Sequence, residues 1–524
     1  MPHRARRRGV VVTLGRTRAV GLRGIVGFLV DVEVDVSSGL PAFHVGGCPD
    51  SACAQAPSRV KAAAANSGHP IPLRRVTVNL SPASIPKLGS GFDLAICVAA
   101  LVATESIPPE VVREVVHIGE LGLDGTVRSV PGVLPLVLAA ARRGVRHAVV
   151  PLTNAAEARL VPGVRVHPVE TLDELVERYA ALHRGLSPSP VPEPPAEPVE
   201  AASPPDLADV VGQQEARDAL EVAAAGGHHL YLVGPPGGGK TMLAERLPGL
   251  LPELDDTQAM EVTAISSVLG RLGPRAALER RPPFVAPHHG ASPVAVIGGG
   301  SSRVLPGAIT QAHHGVLFLD EAPEFHSSVI QALRQPIESG QVVVSRAVGP
   351  HRFPCRFQLV LAANPCPCGF GYGKGARCRC SPLRLSQYQN RLKGPVLDRV
   401  DIQVFVPAPS RAALVGPVGE ASAEVATRVA AARERQEHRW AGTSWRLNGH
   451  APGPVLRNGR FRLPHPVRSS IDTALDRGFL TMRGYDRCLR LAWTLCDLRD
   501  GDRPDADDVG RALALRMQDE QVAA

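Results

Sequence analysis

The sequence predicts an α/β fold with a helical C-terminal region, and three patterns support this. Residues 30 to 36 alternate valine with acidic residues, which is the period of a strand with one buried face. Between residues 207 and 408, short apolar strands recur between helical stretches, as in parallel α/β layer folds. From Val467 the pattern is helical nearly to the last residue. We therefore expect several domains of different composition.

Length and composition limit the classes of protein to which this chain can belong. At 524 residues the chain is expected to form three or four domains of about 100 to 200 residues each. No apolar run approaches the ~20 residues that cross a bilayer, and residues 1 to 15 lack the apolar core of a signal peptide. We expect a cytoplasmic protein with no membrane partner. The net charge of +8 fits an anionic partner such as nucleic acid, although a mildly basic protein needs none.

Composition and predicted secondary structure divide the chain into five parts. Residues 186 to 206 are rich in proline and acidic residues, which predicts a linker. The N-terminal domain, residues 1 to 185, is expected to contain the strands Arg75 to Leu80 and Val116 to Glu120 and the helices Phe92 to Ala103 and Val133 to Arg142. Residues 207 to 408 form the predicted core. An arginine-rich helix at residues 421 to 440 lies in a connection (409 to 465), which precedes a helical lid (466 to 524).

A glycine-rich motif in the core predicts a phosphate site. It lies between the apolar strand His229 to Val233 and a helix, the context in which the pattern GxxxxGK[ST] is specific. Its glycines let backbone N–H groups face phosphate oxygens, Lys240 reaches the β- and γ-phosphates, and Thr241 ligates Mg²⁺. The motif comprises Gly234, Pro235, Pro236, Gly237, Gly238, Gly239, Lys240 and Thr241.

Polar residues end two further apolar strands. Asp320 and Glu321 follow the run from Gly315 to Leu319, where Asp320 would hold magnesium and Glu321 would polarise the attacking water. Asn364 ends the strand that starts at Phe357 and fits a sensor of the γ-phosphate. Helix-capping acids and a turn asparagine are the structural alternatives. The order of these motifs predicts a triphosphate site that uses ATP and Mg²⁺.

Many segments resemble the YifB/ComM family of magnesium-chelatase-like AAA+ ATPases, almost from end to end. They include Ala286-Pro-His-His-Gly-Ala-Ser, Asp320-Glu-Ala-Pro-Glu-Phe, Ala332-Leu-Arg-Gln-Pro-Ile-Glu, Asn364-Pro-Cys-Pro-Cys-Gly and Gly394-Pro-Val-Leu-Asp-Arg-Val-Asp. The resemblance implies a P-loop AAA+ core within a hexameric ring. It makes Arg399 the finger that enters the neighbouring subunit's site, with an ion pair to Asp398 or Asp401 as the alternative. It makes Arg483 the lid's contact to the γ-phosphate, with Arg487 and Arg490 as rivals.

The same resemblance implies a function and a fold for the rest of the chain. It favours a DNA branch-migration helicase acting in homologous recombination or natural transformation, with a magnesium chelatase subunit and a chaperone or unfoldase as alternatives. The N-terminal domain resembles the Lon protease domain, but Gly91 stands where Lon has its nucleophilic serine. Without an activated nucleophile we expect no peptidase activity. We expect a scaffold or a collar that contacts DNA.

Two further groups leave alternatives open. Cys366, Cys368, Cys378 and Cys380 form two CxC pairs that fit a zinc site, free thiols or a redox bridge. Lys374 and Arg377 lie in the segment between the two pairs, where they either contact phosphates or are solvated. His288 and His289 lie where related ring motors insert pore elements, so they either contact a substrate strand or have a packing or hydrogen-bonding role.

Overall fold

The structure is a computed structural model. It describes residues 14–186, 204–273, 275–300, 304–346, 349–372, 377–392, 396–409 and 419–523. The predicted linker lies almost wholly outside the described residues, as does Lys374. Among the described residues, no helix combines the length and the apolar character that a membrane span requires.

The N-terminal region is built on a mixed seven-stranded sheet. Its strands run in the spatial order β3-β4-β2-β1-β5-β8-β9, with β6 and β7 forming a separate ribbon. The alternating valines lie in β2 with buried side chains, which confirms the predicted strand. The strands are β1 (Leu14–Arg23), β2 (Val26–Ser37), β3 (Ala42–Gly46), β4 (Arg75–Ser81), β5 (Val115–His117), β6 (Glu120–Leu121), β7 (Val127–Arg128), β8 (His147–Pro151) and β9 (Arg165–Val169).

Helices cover both faces of this sheet. The helix from Asp93 to Ala103 is buried along its whole length, which explains its nearly unbroken apolar sequence. The predicted helix Val133–Arg142 has the expected bounds. The helices are α1 (Ser51–Ala54), α2 (Ala56–Asn66), α3 (Asp93–Ala103), α4 (Val133–Arg142), α5 (Ala155–Arg159) and α6 (Leu172–His183), with short 3₁₀ turns at Pro109–Val112 and Leu152–Asn154.

The core contains a five-stranded parallel sheet with the order β11-β14-β17-β10-β18. Because all of its strands run in one direction, their carboxyl ends meet at one edge, where open α/β sheets bind ligands. The strands after the linker are β10 (Leu230–Val233), β11 (Phe284–Val285), β12 (Gly298–Gly299), β13 (Leu305–Pro306), β14 (Val316–Leu319), β15 (Gln341–Arg346), β16 (Gly349–Pro354), β17 (Gln358–Ala363) and β18 (Ile402–Phe405).

Helices pack on both faces of the parallel sheet. Two buried clusters form its core, one shared with the C-terminal helices and one on the opposite face. The core helices are α7 (Gln214–Gly226), α8 (Lys240–Arg246), α9 (Asp256–Val268), α10 (Pro293–Ile297), α11 (Ala308–Gln311), α12 (Ser327–Ala332), α13 (Arg334–Ser339) and α14 (Pro382–Asn390), with 3₁₀ turns at Leu207–Asp209, Leu247–Leu250, Ala322–Glu324 and Leu397–Arg399.

The C-terminal region is helical, as the sequence predicts. Its longest helices bury an apolar face against α7 and β18. The helices are α15 (Ser422–Arg439), α16 (Gly453–Arg457), α17 (His465–Asp476), α18 (Met482–Leu498) and α19 (Ala506–Ala523), with 3₁₀ turns at Asn448–His450 and Gly459–Phe461.

A buried ion pair connects the C-terminal helices to the sheet. Arg487 on α18 contacts Asp401, just before β18, with 2.5 Å between Nη1 and Oδ1, and donates from Nε to the Asp398 carbonyl. Asp401 also accepts from the backbone N–H of His229, just before β10. The start of α18 is thereby fixed to the strands that flank the phosphate loop.

The N-terminal region packs on the core through α4 and α9. The Ser267 carbonyl accepts a 2.9 Å hydrogen bond from the N–H of Gly132, and the Ser267 hydroxyl donates to Glu157 at 2.6 Å. Burial raises the pKa of Glu157, while Ser267 and Asn154 oppose that shift. The interface is therefore both apolar and specifically hydrogen bonded.

Candidate nucleotide-binding site

The glycine-rich motif forms a loop between strand β10 and helix α8. Gly239 precedes the helix with a φ of 86°, a conformation that side chains disfavour. A Cβ on Gly234 would lie 2.0 Å from the Val406 carbonyl oxygen, so this position admits no side chain. Glycine is thus required both for the turn and for the close approach of β18. The loop ends at a helix N-terminus, a geometry that favours anions.

Lys240 points back into this loop. Its ammonium group donates to the carbonyls of Gly234 at 2.8 Å and Pro235 at 3.0 Å, and to Oδ1 of Asn364 at 3.1 Å. The residue is 8% exposed, and burial lowers the pKa of Lys240 while Asp320 and Glu321 oppose the shift. Both nearby acids therefore favour the charged form that binds phosphate.

Thr241 and Asp320 form an oxygen pair suited to a cation. The Thr241 hydroxyl donates to Oδ2 of Asp320 at 2.7 Å. Hydroxyl and carboxylate oxygens on one side of an ion suit Mg²⁺, which keeps several waters and binds the substrate's phosphates as well. The two residues, from α8 and the end of β14, therefore fit the magnesium site predicted from the sequence.

Glu321 follows β14 in the left-handed conformation, with a φ of 50°. Its Oε2 lies 3.2 Å from Nδ1 of His289, in the segment before α10. Both side chains are about half exposed, so the pair is accessible to solvent. Of the roles considered for His289, this contact fits the hydrogen-bonding one, with the candidate base as the partner.

The structure brings five predicted side chains to one cavity at the carboxyl edge of the parallel sheet. The cavity measures about 450 Å³, within the range of small-molecule sites, roughly 300 to 1,000 Å³. Its lining residues are Pro236, Gly237, Gly238, Gly239, Lys240, Thr241, Met242, Asp320, Glu321, Ala363 and Asn364.

Two predicted residues do not line this cavity. Arg399 is 8% exposed, and its Nη2 lies 2.6 Å from Oε1 of Glu338 on α13, a partner that the sequence did not suggest. Arg483 is exposed at the start of α18, and its side chain makes no hydrogen bond or ion pair with the described residues. Its rivals are engaged elsewhere, Arg487 with Asp401 and Arg490 with the Ala451 carbonyl.

Sequence reasoning missed one residue that contacts the phosphate loop. Gln213 precedes α7 in the left-handed conformation, with a φ of 54°. Its amide donates to the carbonyls of Gly238 and of Pro407. Gln213 therefore connects the start of the core to both the loop and the segment after β18. It lies in the segment Asp209-Val-Val-Gly-Gln, where no local pattern marks a contact 25 residues away.

Known proteins match this chain throughout its length. Family models described as "Magnesium chelatase, subunit ChlI", "Subunit ChlI of Mg-chelatase" and "Magnesium chelatase, subunit ChlI C-terminal" match residues 206–414, 32–154 and 419–516. An uncharacterized protein of Mycobacterium tuberculosis is 47% identical over 506 residues, 97% of this chain and 99% of that protein. YifB of Escherichia coli K12 is 39% identical over 492 residues (94% of each), and competence protein ComM of Haemophilus influenzae is 38% identical over 495 residues (94% of this chain, 95% of ComM). The chain belongs to the YifB/ComM family of magnesium-chelatase-like AAA+ ATPases.

Membership in the YifB/ComM family agrees with the geometry. The core has the parallel sheet and phosphate loop of an AAA+-type ATPase, which uses ATP and Mg²⁺. A stretch of 93 residues, 17% of this chain, is 28% identical to an archaeal Lon protease of Thermococcus kodakarensis, and the C-terminal region is helical. The predicted fold class is therefore confirmed.

Proposed function

We propose that this chain is an ATP-driven ring motor that moves branched DNA junctions. The proposal depends on one observation above all, the convergence of Lys240, Thr241, Asp320, Glu321 and Asn364 on one cavity. A lysine, two acids and an amide around a phosphate loop provide the positioning and electrostatic stabilisation that phosphoryl transfer needs.

We assign the residues of one subunit as follows. Lys240 exchanges its carbonyl partners for phosphate oxygens, because all three present acceptors lie within the loop or at Asn364. Thr241 and Asp320 hold Mg²⁺, which neutralises charge on the phosphate oxygens. Glu321 orients and polarises the attacking water, and Asn364 contacts the γ-phosphate or that water.

The ring completes the site from a second subunit. We propose that Arg399 acts on a neighbouring subunit's ATP and that Arg483 contacts the γ-phosphate from the lid, within a homohexamer. Arg399 must then exchange Glu338 for phosphate when subunits assemble. An arginine supplied in this way is worth roughly 10³ to 10⁵ in rate in related reactions.

Two observations support DNA as the substrate. The formal charge of +8 favours a polyanion. The relative from Haemophilus influenzae is named a competence protein, and the sequence resemblance set out above implies branch migration in transformation. A DNA motor accounts for both the nucleotide site and the charge.

The test compares ATP hydrolysis by the purified chain with no DNA, single strands, duplex and a four-way junction. We expect the junction to stimulate hydrolysis most, and expect labelled three- and four-way junctions to be resolved only with hydrolysable ATP. Hydrolysis that ignores every DNA would remove the DNA role but leave the ATPase. Magnesium insertion into a porphyrin by a reconstituted mixture, or unfolding of a tagged protein, would assign the motor to the alternative substrates.

A further inference from the structure

Four cysteine sulfurs lie together beyond the sensor strand β17. All four Sγ atoms lie within 4.8 Å of one another. Cys366 lies 3.3 Å from Cys368 and 3.7 Å from Cys378, and Cys368 lies 3.7 Å from Cys378. None of the four is in a disulfide, which would need about 2.05 Å between sulfurs. The sequence left zinc, free thiols and a redox bridge open, and these distances do not fit the bridge.

The distances match a tetrahedral metal site. Zinc binds thiolate sulfur at about 2.3 Å, so tetrahedral geometry separates two sulfurs by roughly 3.8 Å. The observed separations of 3.3 to 3.7 Å are close to that value. A four-sulfur tetrahedral set is typical of Zn²⁺ or of iron–sulfur chemistry. One CxC pair from each side of a loop closes such a site without a position for substrate, as in structural zinc sites.

The backbone around the cluster is arranged to support thiolates. The N–H of Gly371 donates to the Cys366 sulfur at 3.1 Å. Four thiolates at this spacing would repel one another without a cation between them.

The chain packs closely around Cys366, whereas the other three cysteines are half-buried. A Cβ on Gly371 would lie 3.0 Å from the sulfur of Cys366 and 3.6 Å from that of Cys378. Cys366 is fully buried, and Arg377 covers the ring of Phe370 with 4.4 Å between the guanidinium carbon and the ring centre. The position of Gly371 therefore leaves little room for a side chain beside the sulfurs of Cys366 and Cys378.

The same loop also contacts the phosphate loop. A Cβ on Gly369 would lie 2.6 Å from ring carbons of Pro236, so the backbone of the cysteine loop lies against that proline. Cys366 is also only two residues after Asn364, which contacts Lys240. A change in the cysteine loop would reach two sides of the nucleotide site.

We propose that Cys366, Cys368, Cys378 and Cys380 bind one structural Zn²⁺, and that the metal holds this loop against Pro236 and so stabilises the nucleotide site. Zinc replaces the thiol protons, which pass to solvent. The first half of the proposal is independent of the motor function, whereas the second half rests on it.

A second group of potential metal ligands among the described residues is explained by hydrogen bonds among its own members. Glu261, His313 and His314 lie together, with the Nε2 atoms of both histidines near one carboxylate oxygen at 3.1 and 2.7 Å. Nδ1 of His313 accepts a hydrogen bond from the backbone N–H of Arg356 at 3.0 Å. The proton of the neutral imidazole therefore lies on Nε2, which donates it to Glu261. That nitrogen has no lone pair for a metal.

The zinc content of the full chain tests the first half. The chain is purified without a histidine tag and analysed by plasma mass spectrometry, and we expect one zinc per chain. The double variant Cys378→Ser/Cys380→Ser should lose the zinc, whereas Cys48→Ser, at an exposed free cysteine outside the cluster, should keep it. Zinc retained by the double variant would overturn the site.

Cobalt substitution keeps the test independent of the variant's folding. Wild-type chain exchanged with Co²⁺ should show thiolate charge-transfer and tetrahedral ligand-field absorption. Wild type that holds neither zinc nor cobalt, with its four cysteines titrating as free thiols or joined as disulfides, would overturn the proposal. Iron in place of zinc would overturn the assignment of the metal.

Nucleotide affinity before and after zinc removal tests the second half. A fluorescent ATP analogue with Mg²⁺ should bind several-fold more weakly to the zinc-free chain, and added Zn²⁺ should restore binding. Equal affinity would overturn the coupling. Lys240→Ala should keep its zinc and lose nucleotide binding, so failure of the motor proposal and failure of the zinc proposal give different results.

Discussion

Lys240 shows how single residues prepare the site. Its buried ammonium group replaces water with two loop carbonyls and the Asn364 amide oxygen. Asp320 and Glu321 lie close enough to oppose the loss of its charge. The lysine is therefore charged and already positioned at the loop, so that phosphate binding requires an exchange of partners and no large rearrangement.

Glu321→Gln is expected to retain ATP and stop its turnover. The amide keeps the size of the side chain but cannot polarise water as a carboxylate does, and general bases contribute typically 10² to 10⁴ in rate. Phosphate release measured beside binding of a fluorescent ATP analogue checks this. Normal turnover by the variant would show that another residue is the base.

His289→Ala is expected to raise ATP turnover in the absence of DNA. Nδ1 of His289 lies 3.2 Å from Glu321, where it competes with water for the carboxylate. His288→Ala is the matched control, since His288 contacts the Gly290 N–H instead. Turnover rates of both variants, with and without DNA, measure the effect. If His289→Ala lost turnover as Glu321→Gln does, the histidine would be positioning the base.

Among the secondary-structure elements, the sequence predicted the three strands that end at the candidate nucleotide site. Strands β10, β14 and β17 each end in a recognisable polar motif, so periodicity and motif agree. The sequence did not predict the antiparallel pair of β15 and β16, because its strands end in no such motif. Contacts between distant segments, such as Arg487 with Asp401, were also beyond a local pattern because 86 residues separate them.

Asp401→Asn is expected to loosen the lid helix α18. Burial alone would raise the pKa of Asp401, but Arg487 and then His228 hold it well below its usual range. The carboxylate therefore stabilises the fold at neutral pH, and this contribution is lost only as the pH falls through that lowered pKa. Breaking a buried pair costs on the order of 3 kcal/mol, or roughly a hundredfold in local opening.

Hydrogen–deuterium exchange of peptides from α18 and α7 measures this loosening. Exchange in α18 should accelerate far more than exchange in the middle of α7. Asp256→Asn, which removes the exposed pair with Arg280, is the control and should change little. Unchanged protection of α18 in Asp401→Asn would show that apolar packing alone fixes the lid.

At the scale of the whole molecule, the chain contains only half of the proposed catalytic arrangement. Lys240, Asp320 and Glu321 meet in one cavity, whereas Arg399 lies on Glu338 away from it. The resemblance implied the ring and the roles of Arg399 and Arg483, and these stay predictions. The domain boundaries at residues 186 to 206 and 409 to 465 also stay predictions. A local pattern in one chain does not reveal a contact that would form between two subunits.

Mixing two inactive variants is expected to restore part of the ATPase activity. Lys240→Ala lacks a working phosphate loop, and Arg399→Ala lacks the arginine, but a mixed ring contains interfaces with both intact. ATP hydrolysis of the mixture is compared with that of each variant alone. A mixture that remains as inactive as its components, while shown to co-assemble, would mean that Arg399 serves its own subunit.

Stimulation by DNA is expected to fall steeply with salt. Binding of a polyanion by a chain with a net charge of +8 releases counterions, so affinity decreases as salt rises. The DNA-free rate should change far less, because the nucleotide site is partly buried. Turnover measured across a salt series with and without a junction checks this. Parallel loss of both rates would point to dissociation of the ring.

Equilibrium binding of ATP with Mg²⁺ to the purified chain decides whether the cavity is a nucleotide site, since every assigned role requires a triphosphate bounded by Lys240, Asp320 and Asn364. Titration calorimetry of wild type, Glu321→Gln and Lys240→Ala separates the roles. We predict saturable binding by wild type and Glu321→Gln and none by Lys240→Ala. Wild type that binds no nucleotide, or Lys240→Ala that binds it as tightly as wild type, would contradict the account.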